Sequence, residues 1–265
     1  MGTSLAPYEK VSFSACGFTH DVYKRGAGPA VVVIHEVPGL HPLVIRFADR
    51  VAEAGMSVYL PSLFGEPERP VTSGYVMKSL AQATFCMRRS FSVWATDRSS
   101  PVVDFLRALA KKAHEECGGP GVGALGMCLT GNFALSLMVD PSVAAPVLSQ
   151  PSLPFSLSPS HRRALAVSDD ELVTIRRRVR EEGVPVLGLR FTHDPLCPGA
   201  RFRRLRDELG EGFRGIEIDS SPGNPHKNPI TAHSVLTRDL VDEDGHPTRA
   251  ALDAVLTFFH DRLRA

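Results

Sequence analysis

From Ala30 to Ile34 the chain reads Ala-Val-Val-Val-Ile without a polar interruption. A β-branched block of this length suits a strand covered on both faces. Gly121–Met127, Ala144–Leu148 and Val184–Arg190 have the same character, and Ser57–Leu60 and Phe213–Ile218 read as shorter strands. Between these blocks apolar positions recur at helical spacing. Pro42–Ala54 predicts a helix closed by Gly55. Pro101–Glu116 predicts another, with Val103, Leu106, Leu109 and Ala110 on one face. Leu129–Val139, Ala200–Leu209 and Thr248–Arg264 predict three more. Ser168-Asp169-Asp170-Glu171 is a capping box that opens a helix running to about Glu182. Ahead of all of these, Val11–Cys16 and His20–Lys24 alternate on either side of Gly17, as a hairpin does. Two stretches are less regular. Residues 61–100 mix Pro and Gly with a helical run at Val76–Arg89, and Gln150–Val167 is a Ser- and Pro-rich loop expected to lie over a pocket.

Strand and helix alternate along most of the chain, which predicts an α/β fold. The expected sheet is mainly parallel, with helices on both faces and an N-terminal antiparallel hairpin. Residues 1–265 read as one domain, in which 150–183 form a loop-helix insertion over the pocket. Composition narrows the function. The chain has 265 residues, a formal net charge of +1, 43% hydrophobic and 22% charged residues. That balance points away from nucleic acid and membrane surfaces. Its five cysteines are odd in number and lack CxxC spacing, so neither a disulfide scaffold nor structural zinc is expected. No signal-like leader and no apolar run of membrane-spanning length is visible. The expectation is a reduced cytoplasmic protein, monomer or homodimer, acting on a small molecule without a cofactor.

In open parallel sheets ligands bind at the carboxyl ends of the strands. Four positions stand out there: Glu36-Val37, Cys128, Asp194, and His233 in the long loop after Phe213–Ile218. Cys128 lies in Gly126-Met127-Cys128-Leu129-Thr130-Gly131, a G-x-C-x-x-G segment between a buried strand and a helix. Small residues let the chain turn sharply there and push the side chain out of the sheet. A helix N-terminus beneath a sulfur favours a thiolate, and the Leu129 N–H is directed where an oxyanion would form. A lone buried cysteine is more often core than nucleophile, but the order Cys128, Asp194, His233 is nucleophile, acid, base. His233 would take the thiol proton while Asp194 fixes the imidazole tautomer. His193 and His226 are rivals for the base.

These residues resemble the dienelactone hydrolase family of α/β-hydrolases. The resemblance covers about Val31 to Arg262. It rests on Glu36 after the first parallel strand, the Gly126–Gly131 elbow, Asp194 followed by Pro198, and Ala232-His233-Ser234. It implies a single α/β-hydrolase-type domain and a Cys-His-Asp hydrolase. It also implies that Glu36 contacts the thiol and helps form the thiolate, and that the N–H groups of Val37 and Leu129 make the oxyanion hole. Two departures bear on the substrate. Thr130 stands where the elbow usually has a second glycine, so it crowds the turn or contacts substrate. The family holds a substrate carboxylate with arginines, one of them four residues after the histidine. Thr237 is at that position, with Arg238 beside it, and Arg88 and Arg89 are candidates for the other. Trp94 lines the pocket or fills the core.

The expected activity is hydrolysis of a small ester or lactone through a thioester acyl-enzyme. A biosynthetic tailoring enzyme on the same scaffold, forming lactones or transferring acyl groups, is the alternative, and a non-catalytic small-molecule binder is a third. Gly121–Gly126 matches G-x-G-x-x-G, but its glycines run into a strand that a helix precedes, so it is not a nucleotide loop. His35-Glu36 does not continue to H-E-x-x-H, and His226 and His233 lack a third ligand, so no metal is expected. Arg176, Arg177, Arg178 and Arg180 read as a solvated helix face.

Overall fold

The computed structural model describes residues 4–81 and 100–264. These residues contain the strands β1 (Glu9–Ala15), β2 (Phe18–Arg25), β3 (Ala30–Ile34), β4 (Ser57–Pro61), β5 (Val122–Met127), β6 (Val143–Ser149), β7 (Val186–Phe191) and β8 (Phe213–Ile218). The helices are α1 (Pro42–Glu53), α2 (Ser73–Ala81), α3 (Val102–Cys117), α4 (Phe133–Leu137), α5 (Pro159–Arg163), α6 (Asp169–Glu181), α7 (Gly199–Leu209) and α8 (Pro247–Leu263). All eight strands join one sheet in the order β1-β2-β4-β3-β5-β6-β7-β8. The β1–β2 and β2–β4 pairs are antiparallel, and the remaining pairs are parallel. Cys16 and Gly17, both at positive φ, close the β1–β2 hairpin. Two such residues in a row make a turn whose twist matches that of the strands.

Side-chain alternation along β3 divides the core in two. Val31 and Val33 pack with α1 and α8 on one face. Ala30, Val32 and Ile34 pack with α3, α4 and residues of α6 and α7 on the other. All five β3 residues are fully buried, as the apolar block requires. Each large aliphatic side chain removed from water contributes roughly 1.5–3 kcal/mol, which fixes the strand that leads to Glu36.

Four expectations need correction. The helix read at Leu129–Val139 is a 3₁₀ turn, Cys128–Thr130, followed by the short α4. Its bond runs from Gly131 N to Cys128 O at 3.0 Å. The Thr130 hydroxyl accepts from Met127 N at 3.1 Å, and such local side-chain bonds compete with a regular helix. Arg178 is not on a solvated face. It is 3% exposed and donates to the carbonyls of Met138, Asp140, Pro141 and Val143. In the 150–183 stretch, α6 forms the crossover between β6 and β7, and the capping box at Ser168 and Glu171 opens it as predicted. The wall over the pocket is the shorter segment after β6, gripped by Arg201 of α7. That fully buried guanidinium donates to the carbonyls of Pro151, Pro154, His161 and Ala164. The helix predicted at Val76–Arg89 begins earlier, at Ser73, and residues 82–89 lie outside the described residues.

Candidate active site

Cys128 follows β5 directly and sits at φ +53°. A non-glycine residue in the left-handed region is uncommon and costs conformational energy, so the surroundings must hold it. Two close approaches do so. A Cβ at Gly126 would lie 2.1 Å from the Thr130 carbonyl oxygen, and one at Gly131 would lie 2.4 Å from Pro151 Cα. Only glycine permits either approach. The elbow presents a half-buried Cys128 to a cavity of about 290 Å³.

The same cavity is lined by Glu36, His41, Asp194 and His233. His233 Nδ1 lies 2.7 Å from Asp194 Oδ2, and the other Asp194 oxygen accepts from Leu196 N at 2.9 Å. Because a carboxylate only accepts, Nδ1 carries the proton. His233 Nε2 therefore faces the cavity, 3.5 Å from Ser152 Oγ. Burial pushes the His233 imidazole down. The charge of Cys128 and hydrogen bonds to Asp194 and Cys128 outweigh it and raise the pKa well above the ordinary value. The backbone beneath is fixed by Asp239, whose carboxylate accepts from His233 N and Ser234 N, each at 2.8 Å.

Glu36, 3% exposed, is held by four side chains. Thr237 Oγ1 donates to Oε1, and His41 Nε2 lies 3.3 Å from the same oxygen. Ser234 Oγ and Gln150 Nε2 donate to Oε2 at 3.0 and 3.2 Å. Burial pushes this carboxyl up, but its bond and charge partners, His41 foremost, hold it below the usual glutamate range. Next to it, His35 is fully buried between Leu63 N, 3.0 Å from Nε2, and the Glu36 carbonyl, 3.0 Å from Nδ1.

Of the residues singled out in the sequence, Glu36, Val37, Cys128, Leu129, Asp194 and His233 line one cavity. Two substrate-binding assignments are corrected. Thr130 is fully buried, and its hydroxyl bonds to the Met127 backbone and to the carbonyls of Ile34 and His35, tying the elbow to the end of β3. Thr237 is spent on Glu36 and does not line the cavity, whereas its neighbour Arg238 does. Arg88, Arg89 and Trp94 lie outside the described residues. The rival bases His193 and His226 are exposed and away from the cavity wall. His41, Gln150 and Ser152 were missed. His41 precedes Pro42 at the start of α1, and Gln150 sits at the end of β6, so the strand-end rule could have found it. Among the described residues no cluster of three metal-ligating side chains occurs, and no helix is long and apolar enough to cross a membrane.

A sequence model described as the dienelactone hydrolase family matches residues 19–262. No curated protein sequence matches the chain. Among solved structures, a candidate dienelactone hydrolase from Klebsiella pneumoniae superimposes with a TM-score of 0.65 at 18% identity, covering 95% of this chain and 97% of that one. A dienelactone hydrolase from Anabaena variabilis gives 0.61 at 14% identity, covering 97% and 100%. A cold-adapted esterase from an Arctic intertidal metagenomic library gives 0.54 at 14% identity, covering 97% and 93%. At such identities these likenesses speak for the fold alone.

Proposed function

The chain belongs to the dienelactone hydrolase family, a family of ester and lactone hydrolases, and from that premise we propose that it cleaves a small ester or lactone with Cys128 as nucleophile and His233, oriented by Asp194, as base. The observation that carries this reading is the imidazole of His233, bonded at 2.7 Å to Asp194 through Nδ1, with its other nitrogen toward the cavity that Cys128 enters.

The Cys128 proton passes to His233 Nε2, and the sulfur attacks the substrate carbonyl carbon. Backbone N–H groups of Val37 and Leu129, both on the cavity wall, receive the oxyanion. The carbon–oxygen bond to the leaving alcohol breaks as His233 returns its proton to that oxygen, leaving a thioester. A water then loses a proton to His233 and attacks the thioester. The carbon–sulfur bond breaks, the acid departs, and Cys128 regains its proton from His233. Thiolate attack suits an activated ester or lactone better than an amide. The apolar walls formed by Val37, Val76, Leu129, Phe155 and Leu196 fit a substrate with an apolar body. At about 290 Å³ the space suits a small one.

The test is turnover of a panel of lactones and aryl esters by wild type, Cys128→Ala and His233→Ala. Each variant should lose about a hundredfold or more in kcat. Normal turnover by Cys128→Ala would end the reading.

A further inference from the structure

The family resemblance makes Glu36 an activator of the thiol. The contacts around it argue for another task. We propose that in this chain Glu36 is a fixed positioning residue, clamped by His41, Gln150, Ser234 and Thr237, and does not take the Cys128 proton. This rests on the reading of Cys128 as nucleophile and His233 as base.

A carboxylate offers about four lone-pair sites. Four side-chain donors surround this one: Thr237 and His41 at Oε1, Ser234 and Gln150 at Oε2. Every such bond favours the charged form and makes proton uptake harder. To accept the thiol proton Glu36 would have to displace one donor whose place little water can take, since Glu36 is 3% and His41 2% exposed. The depressed carboxyl pKa agrees with that arrangement. His35, His41, His233 and Arg238 are the titratable or cationic side chains whose charges act on it. His233, by contrast, has a nitrogen directed at the cavity and a partner that orients it.

What the clamp joins explains why it exists. Glu36 precedes Val37, the proposed oxyanion donor. Ser234 follows His233. Gln150 lies two residues before Ser152, which contacts His233 Nε2. His41 opens α1. One carboxylate thereby fixes the oxyanion loop after β3 relative to the base loop after β8 and the wall after β6. Gln150 is held at φ +35°, a conformation that persists only where the surroundings over-determine it. Loosening the clamp changes the distance between oxyanion donor and base, while the Asp194–His233–Cys128 contacts stay.

The experiment compares wild type, Glu36→Gln, Thr237→Val, Thr237→Ser and His233→Asn. Two readouts are taken: kcat and KM for an aryl acetate, and the pH dependence of iodoacetamide alkylation at Cys128, followed by peptide mass. Glu36→Gln and Thr237→Val should lower kcat about tenfold to a hundredfold with little change in KM, and Thr237→Ser should restore it. Alkylation of Cys128 in Glu36→Gln should be at least as fast as in wild type, because removing a negative neighbour cannot disfavour a thiolate. In His233→Asn it should slow by about tenfold or more. Slowing by Glu36→Gln equal to that of His233→Asn would overturn the proposal and make Glu36 the base. So would wild-type kcat in Thr237→Val, which keeps the carboxylate and decides the matter if Glu36→Gln does not fold. Cys128→Ala serves as the control: turnover surviving in it would bring down the functional reading, an outcome separate from either of these.

Discussion

Two buried imidazoles sit near the same strand ends and do opposite things. His35 is fully buried and His233 is 8% exposed. His35 meets a backbone N–H on one side and a backbone carbonyl on the other, so it is complete as the neutral Nδ1–H tautomer. Burial pushes its pKa down to about 4. His233 meets a carboxylate and a thiol, and its pKa rises well above the ordinary value despite the same burial. Desolvation alone would have lowered both. The charge of the partners decides which imidazole becomes structural and which can move a proton.

The largest expected effect tests this difference at the chemistry. His233→Asn should cost about 10²- to 10⁴-fold in kcat for an aryl ester, measured by steady-state kinetics. The next concerns stability, where the two histidines should pull in opposite directions with pH. His35 has a folded pKa of about 4, below the unfolded value of about 6.5. Its contribution is fully present above about pH 6.5 and is lost as pH falls towards 4, a change on the order of 3 kcal/mol. Urea unfolding at pH 7 and pH 5 should show the loss, and His35→Asn should flatten it. His233, with its pKa raised, contributes below about pH 6.5 and loses that contribution as pH rises through its folded value. If both variants flattened the same limb, the contrast would fail. The smallest effect extends the contrast to thiols. Cys197 is fully buried, and its pKa is pushed up to about 12, chiefly by burial. Native iodoacetamide labelling should reach Cys128 and spare Cys197. Cys197→Ala should cost roughly 1–2 kcal/mol of stability with turnover retained.

Much of this was legible in the sequence because strand ends are legible. The apolar block of β3 and the glycine-flanked end of β5 mark where the sheet stops, and the parallel topology brings those stops together. Glu36, Cys128 and Asp194 could therefore be read directly, and His233 from chain order. Hydroxyl direction could not. Thr130 turns inward to the end of β3 and Thr237 inward to Glu36, because buried acceptors await them there. Gln150 was open to the same strand-end reading, but the direction of its side chain was not. Its positive φ, which turns the side chain to Glu36, is imposed by tertiary contacts and leaves no local mark. The break after Thr130 was equally invisible, since the helical spacing of Leu129–Val139 is intact.

The grip of Arg201 on four carbonyls of the cavity wall has a practical corollary. Its acceptors are neutral and do not titrate, and a fully buried charge–dipole contact is little screened by dissolved ions. The wall bearing Ser152 and Phe155 should then keep one shape from low to high ionic strength and from mild acid to mild base. Kinetic changes across such buffers can accordingly be assigned to the reacting groups and not to a shifting container.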